Sequence, residues 1–152
     1  MPTTIVCGPP CAGKNYYVEQ HQQPGDVVID WDAIAIELGS PKQHHHSKAM
    51  YDQIAAEYER RLAQVEQRPP TDVDVWIIRG LAEHTERKAW ATRFSAEVIT
   101  LTPPRDVLVQ RARERPASKL TVWSIDRWLE RAGRDPAPAV GTDPSPTPAT
   151  SW

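Results

Sequence analysis

Residues 3–20 read Thr3-Thr4-Ile5-Val6-Cys7-Gly8-Pro9-Pro10-Cys11-Ala12-Gly13-Lys14-Asn15-Tyr16-Tyr17-Val18-Glu19-Gln20, and they decide the fold. Thr3 to Cys7 is a short β-branched run suited to a buried strand. Gly8 to Lys14 has the spacing G-x-x-x-x-G-K. Its glycines let the backbone close around a phosphate, and its lysine sets a point charge against the outer oxygens. Lys14 to about Gln20 can continue as a helix. Strand, loop and helix in that order aim several backbone N–H groups and a helix N-terminus at one anion. The expected nucleotide site is therefore Gly8, Pro9, Pro10, Cys11, Ala12, Gly13, Lys14, Asn15 and Tyr16, with ATP or GTP as the ligand. Asn15 is the departure. A hydroxyl at this position ordinarily ligates Mg²⁺, and an amide oxygen is a bulkier and weaker donor. Metal binding through Asn15, through water or through acidic residues stays open, as does slow or absent turnover.

The chain has 152 residues and a net charge of −2, room for one domain with one core. Charge is uneven, with six Lys/Arg against eleven Asp/Glu in residues 1–76 and twelve against nine in residues 77–152. Cations therefore gather in the second half, but no strongly basic face is implied, which weakens non-specific nucleic-acid binding as a function. Cys7 and Cys11, the only cysteines, fall in the strand and loop that meet phosphate and read as small buried residues in a reducing compartment. With no signal peptide and no membrane-spanning stretch, the expectation is a cytoplasmic protein. Five of the fifteen prolines fall within 136–152, a Pro/Ala/Thr/Ser-rich stretch with no apolar period. The division expected is a folded unit over 1–133 and a disordered tail over 134–152.

Four strand candidates follow one another: Thr3 to Cys7, Val27 to Asp30, Val73 to Ile78 and Val98 to Leu101. Helical patterns separate them at Lys14 to Gln20, Ala33 to Leu38, Ser47 to Gln67, Glu83 to Phe94 and Arg105 to Arg115. A last helix is expected over Val122 to Ala132, capped by Thr121 and stopped by Gly133. Alternation of this kind predicts an α/β fold with a small parallel sheet covered on both faces. Met50, Ile54, Tyr58, Leu62 and Val65 mark one apolar stripe on the long helix.

Val27-Val28-Ile29-Asp30-Trp31-Asp32 ends an apolar strand in two carboxylates. In an open α/β sheet the C-terminal strand ends share one crevice, so both acids belong near the phosphate loop. Asp30 suits Mg²⁺ and Asp32 suits an acceptor hydroxyl, the two needs of phosphoryl transfer. Asp32 also suits the N-cap of the helix that follows it.

On Gly8-Pro-Pro-Cys-Ala-Gly-Lys14, Val-Ile-Asp30-Trp-Asp32 and the late arginine-rich helix, residues 3 to about 115 resemble small P-loop kinases. The group includes polynucleotide 5′-kinases, zeta-toxin-like kinases and shikimate or gluconate kinases. The resemblance implies a three-layer P-loop NTPase fold of about four to five strands. It also implies a metal-side acid at Asp30 and a substrate-side acid at Asp32, as in the shikimate type. In the polynucleotide-kinase-like branch an arginine three residues past the acid binds substrate, and that position is Ala35 here. The segment Asp32 to Pro41 with its following histidines is similar to ATPase-like proteins of actinobacterial phages, which implies a bacterial host cell.

Arg111 and Arg115 lie one turn apart on the helix that resembles the lid-bearing one, where the resemblance implies contact with nucleotide phosphates. Arg79 ends the third strand and is expected to bind substrate. His44, His45 and His46 read as a loop before an N-cap at Ser47, since three consecutive side chains do not converge on one ion. The reading is a phosphotransferase that uses Lys14, Asp32, Arg111 and Arg115, with a nucleoside, nucleotide, nucleic-acid or small-metabolite hydroxyl as acceptor. An ATPase and a catalytically weak regulatory binder are the alternatives.

Overall fold

The computed structural model describes residues 2–39 and 47–137. Its sheet has four parallel strands in the order β2-β3-β1-β4, formed by β1 (Thr3–Cys7), β2 (Val27–Ile29), β3 (Val75–Ile78) and β4 (Glu97–Thr100). β1 lies between β3 and β4, with Ile5 opposite Ile77 and Val98, and every residue of β1 is buried. A central strand covered on both faces calls for an unbroken apolar and β-branched run, which Thr3 to Cys7 supplies.

The helices are α1 (Lys14–His21), α2 (Trp31–Glu37), α3 (Lys48–Gln67), α4 (His84–Phe94), α5 (Arg105–Arg113) and α6 (Ser118–Arg134). They divide the core in two. On one face Ile34, Ile54, Tyr58, Leu62 and Phe94, from α2, α3 and α4, pack with Ile5 and Ile77. On the other, Val18, Leu108, Ala112 and Ile125, from α1, α5 and α6, pack with Val6 and Ile78. The predicted stripe of α3 is the one that packs, with Ile54, Tyr58, Leu62 and Val65 buried. The chain leaves β1 toward β2 and leaves β3 in the opposite sense toward β4, so the crevice opens where β1 and β3 lie side by side.

Both ends of the last helix depart from the sequence reading. α6 begins at Ser118, four residues before Val122, because α5 closes in a tight turn and Ala117 in the left-handed region launches the next helix at once. Thr121 is inside that helix, its hydroxyl donating to the Ala117 carbonyl, and caps nothing. Gly133 does not stop α6, which runs on to Arg134, and Asp135 then accepts from the Thr85 amide N–H at 2.9 Å. Asp135 thereby ties the end of α6 to the start of α4. Residues 138–152 of the expected tail and His44, His45 and His46 lie outside the described residues.

Candidate functional site

The loop after β1 takes the backbone shape that its glycines permit. Gly8 has φ +152°, and a Cβ there would meet the Leu101 carbonyl oxygen at 2.4 Å, so no other residue fits. Gly13, at φ +93°, precedes α1 and carries no capping side chain, and the first turn holds no acidic residue. The amide N–H groups at this end are thus left for an anion. Between the glycines, Cys11 sits at φ +67° and the Ala12 amide donates to the Pro9 carbonyl at 3.2 Å.

Lys14 turns back along this loop and donates to the Gly8 and Pro9 carbonyl oxygens, both at 2.9 Å. Burial pushes its ammonium down to about 8, while Asp30 and Asp32 act in the opposite sense. Lys14, Asp30 and Asp32 are therefore within electrostatic reach of one another. Asn15 is exposed and Tyr16 is half-buried on the first turn of α1.

The two carboxylates exchange one expected role. β2 ends at Ile29 and α2 begins at Trp31, so Asp30 is the lone residue between them and its carboxylate accepts from the Ala33 amide at 3.3 Å. Asp30 is the N-cap and Asp32 stands inside the first turn, the reverse of the sequence expectation. Burial and then the nearby Asp32 raise the Asp30 carboxyl above its usual range, with Lys14 pulling it back.

Arg111 is buried and its guanidinium donates to the Cys11 carbonyl at 2.9 Å, so α5 grips the phosphate loop from behind. Burial raises the Cys11 thiol, and Arg115, Lys14 and Arg111 all oppose that shift. Three cations thus surround the turn of the loop, and Arg115 stands beyond the last residue of α5.

Residues 4–134 match the AAA domain family. The chain belongs to that family. A P-loop nucleotide-binding fold of the kinase and ATPase type is the consequence. A crystal structure described as the native AvrRxo1-ORF1:-ORF2 complex is similar in fold, with a TM-score of 0.52 and 11% identity. The similarity covers 89% of this chain but only 51% of that one. No curated protein matches the chain. Among the described residues no helix is long and apolar enough to cross a membrane.

The residues present fit a Mg²⁺ ion bound together with nucleotide. No three His, Cys, Asp or Glu side chains converge among the described residues. Mg²⁺ does not need such a cage, because it keeps several waters and takes one or two carboxylates with substrate phosphates. Asp30, near Lys14 and partly withdrawn from water, is a carboxylate of the kind that would suit it, with Asp32 two residues further on.

Two features of the site were invisible in the sequence. Arg79, at the end of β3, lies against Tyr58, Trp90 and Trp31 with its guanidinium carbon 5.2, 5.8 and 5.9 Å from the three ring centroids. The Gly80 carbonyl next to it accepts from the Gly8 amide at 3.2 Å and from the Trp128 indole N–H at 2.8 Å. Residues 31, 58, 79, 80, 90 and 128 share no spacing that a periodic pattern would reveal. Of these, Arg79 gave a signal by its place at the strand end and Tyr58 as part of the apolar stripe of α3, but neither showed the enclosure.

Proposed function

We propose that the chain is an ATP-dependent phosphotransferase acting on an acceptor hydroxyl. The observation that carries this reading is the convergence of Lys14, Asp30 and Asp32 at the mouth of the loop. A nucleotide's β- and γ-phosphates would displace Lys14 from the two loop carbonyls and take its charge. Asp30 would hold Mg²⁺, which when bound neutralises charge on the phosphate oxygens. Asp32 would orient the acceptor hydroxyl and take its proton as the oxygen bonds to the γ-phosphorus and the bond to the β-bridging oxygen breaks, releasing ADP. Arg115 would meet charge on the transferring group, and Arg111 would act through the loop to which it is hydrogen-bonded. The acceptor is a nucleoside, a nucleotide, a nucleic-acid end or a small metabolite, and the setting is the cytoplasm of a bacterial cell.

A second reading is an ATPase or a nucleotide-gated binder without an acceptor, and Asn15 in place of the metal-ligating hydroxyl is what favours it. Incubation with γ-labelled ATP, Mg²⁺ and a panel of nucleosides, nucleotides, oligonucleotides and sugars separates the cases. Label on an acceptor supports transfer, free phosphate supports the ATPase, and untouched ATP supports a binder.

A further inference from the structure

The surroundings of Arg79 narrow the class of acceptor, an inference that rests on the phosphotransferase reading. Arg79 leaves β3 at the crevice, its amide N–H donating to the Val6 carbonyl at 3.2 Å. The three rings around its guanidinium come from α2 (Trp31), α3 (Tyr58) and α4 (Trp90), so three separate elements converge on one cation. Aromatic faces attract a cation without neutralising it. No carboxylate among the described residues lies within ion-pair distance of Arg79. Arg93 makes the contrast, because it also lies over Trp90 but is paired with Glu66 at 2.7 Å and Glu59 at 3.9 Å.

Tyr58 fixes the place of this cation relative to the reacting centre. Its hydroxyl donates to the Ile78 carbonyl at 3.0 Å, which pins the ring beneath Arg79. Burial raises the Tyr58 phenol, while Arg79 and Asp30 act on it in opposite senses. The guanidinium lies 5.2 Å from the centroid of this ring at the end of β3, and Trp31, the residue after Asp30 at the end of β2, packs against the same ring at 5.8 Å between centroids. Trp31 continues the aromatic wall outward to Tyr51, which is 54% exposed, at 5.1 Å between centroids.

We propose that Arg79 is the anion-binding residue of the acceptor site, and that the acceptor carries a phosphate or carboxylate group besides the hydroxyl that reacts. Trp31, Tyr58 and Trp90 hold the guanidinium in place at little entropic cost, and the planar fork offers two parallel donors to an anion's oxygens. A neutral sugar or an unmodified nucleoside would leave this cation uncompensated in a partly dry pocket.

The test is a two-dimensional NMR titration of the indole N–H signals of the full chain saturated with ADP, first with inorganic phosphate and then with acetate. The expected result is a saturable shift of the Trp31 and Trp90 signals while that of Trp123, exposed on α6, stays in place. Arg79→Lys, which keeps the charge and loses the fork, should weaken the midpoint about tenfold. Arg79→Gln should abolish the shift. A stronger response to phosphate points to a phosphorylated acceptor, and a stronger response to acetate points to a carboxylic acid. No saturable shift with either anion, or an unchanged midpoint in both variants, overturns the proposal. Failure of ADP to raise the melting temperature would overturn the phosphotransferase reading alone, because the same titration without ADP still reports on Arg79.

Discussion

Arg111 and Arg79 stand on opposite faces of one sheet and have been put to different uses. On the α1, α5 and α6 face, Arg111 is buried and its charge is spent on a backbone carbonyl of the phosphate loop. On the α2, α3 and α4 face, Arg79 is half-buried against three rings and no carboxylate among the described residues pairs with it. The difference teaches that a cation near a phosphate site has two kinds of work. One builds the backbone cradle, and the other, on the proposed reading, binds an anion of the acceptor.

The largest effect is expected at the centre of the crevice, where both faces meet. ATP with Mg²⁺ should stabilise the wild-type chain by about 2.7 kcal/mol at a hundred times its dissociation constant, and Lys14→Ala should remove most of that gain. Thermal melting with and without millimolar nucleotide measures it. An unshifted wild-type curve would end the nucleotide-binding reading of this loop, and with it any contrast between a nucleotide face and an acceptor face.

Next in size is the separation of the two carboxylates. Asp32→Asn should depress transfer by about 10²-fold with ATP affinity nearly unchanged, the scale for loss of a general base. Asp30→Asn should weaken Mg²⁺-dependent activity and recover in part as Mg²⁺ is raised, and because Asn caps a helix as well as Asp the start of α2 should survive. Steady-state kinetics over a Mg²⁺ series distinguishes the two. Equal and small effects would leave Asp30 a cap, Asp32 a first-turn residue, and the acceptor face without chemistry.

The central parts of this site were legible because short spacings dictate them. Gly8, Gly13 and Lys14 must stand where they do for a backbone to wrap phosphate, and an apolar run that ends in Asp30 must end in the crevice. The cap was misassigned by two residues, since nothing in Ile29-Asp30-Trp31-Asp32 says how abruptly β2 gives way to α2. The start of α6 was missed for a related reason. Thr121 has the chemistry of a cap, but the turn through Ala117 lets the helix begin before it. Arg79 was placed near substrate from its strand end, yet its enclosure was out of reach. Trp31, Tyr58 and Trp90 meet only after three helices have packed on one face, and no local pattern encodes that meeting.

A smaller effect separates the two arginines directly. Arg111→Met leaves the Cys11 carbonyl buried without this donor and should cost about 1–3 kcal/mol of stability in the absence of nucleotide. Arg79→Gln should cost less than about 1 kcal/mol, because a cation–π contact at a partly exposed site contributes about that much. Denaturant unfolding of both variants checks the order. A larger loss at Arg79 than at Arg111 would make the aromatic enclosure a structural feature and invert the comparison.

The smallest expected effect probes whether the two faces communicate through Gly80. Its carbonyl accepts from Gly8, which opens the phosphate loop, and from the Trp128 indole on α6, while its peptide follows Arg79 on the acceptor side. Trp128→Phe keeps an aromatic ring against Gly80 and removes the indole donor. The carbonyl keeps its bond from Gly8, so no buried acceptor is orphaned and the loss should be only about 0.5–1.5 kcal/mol. For a chain of this size that corresponds to a fall of a few degrees in melting temperature, about 2–4 °C per kcal/mol. Nucleotide affinity, read by calorimetry, should change by less than about twofold, since 0.4 kcal/mol is the most that a slight loosening of one shared carbonyl would pass on. A drop in affinity well beyond that, with stability nearly intact, would show that α6 sets the shape of the phosphate loop through Gly80. The nucleotide face would then be held from two helices, by Arg111 on α5 and Trp128 on α6, and the acceptor face would feel nucleotide binding through the residue next to Arg79.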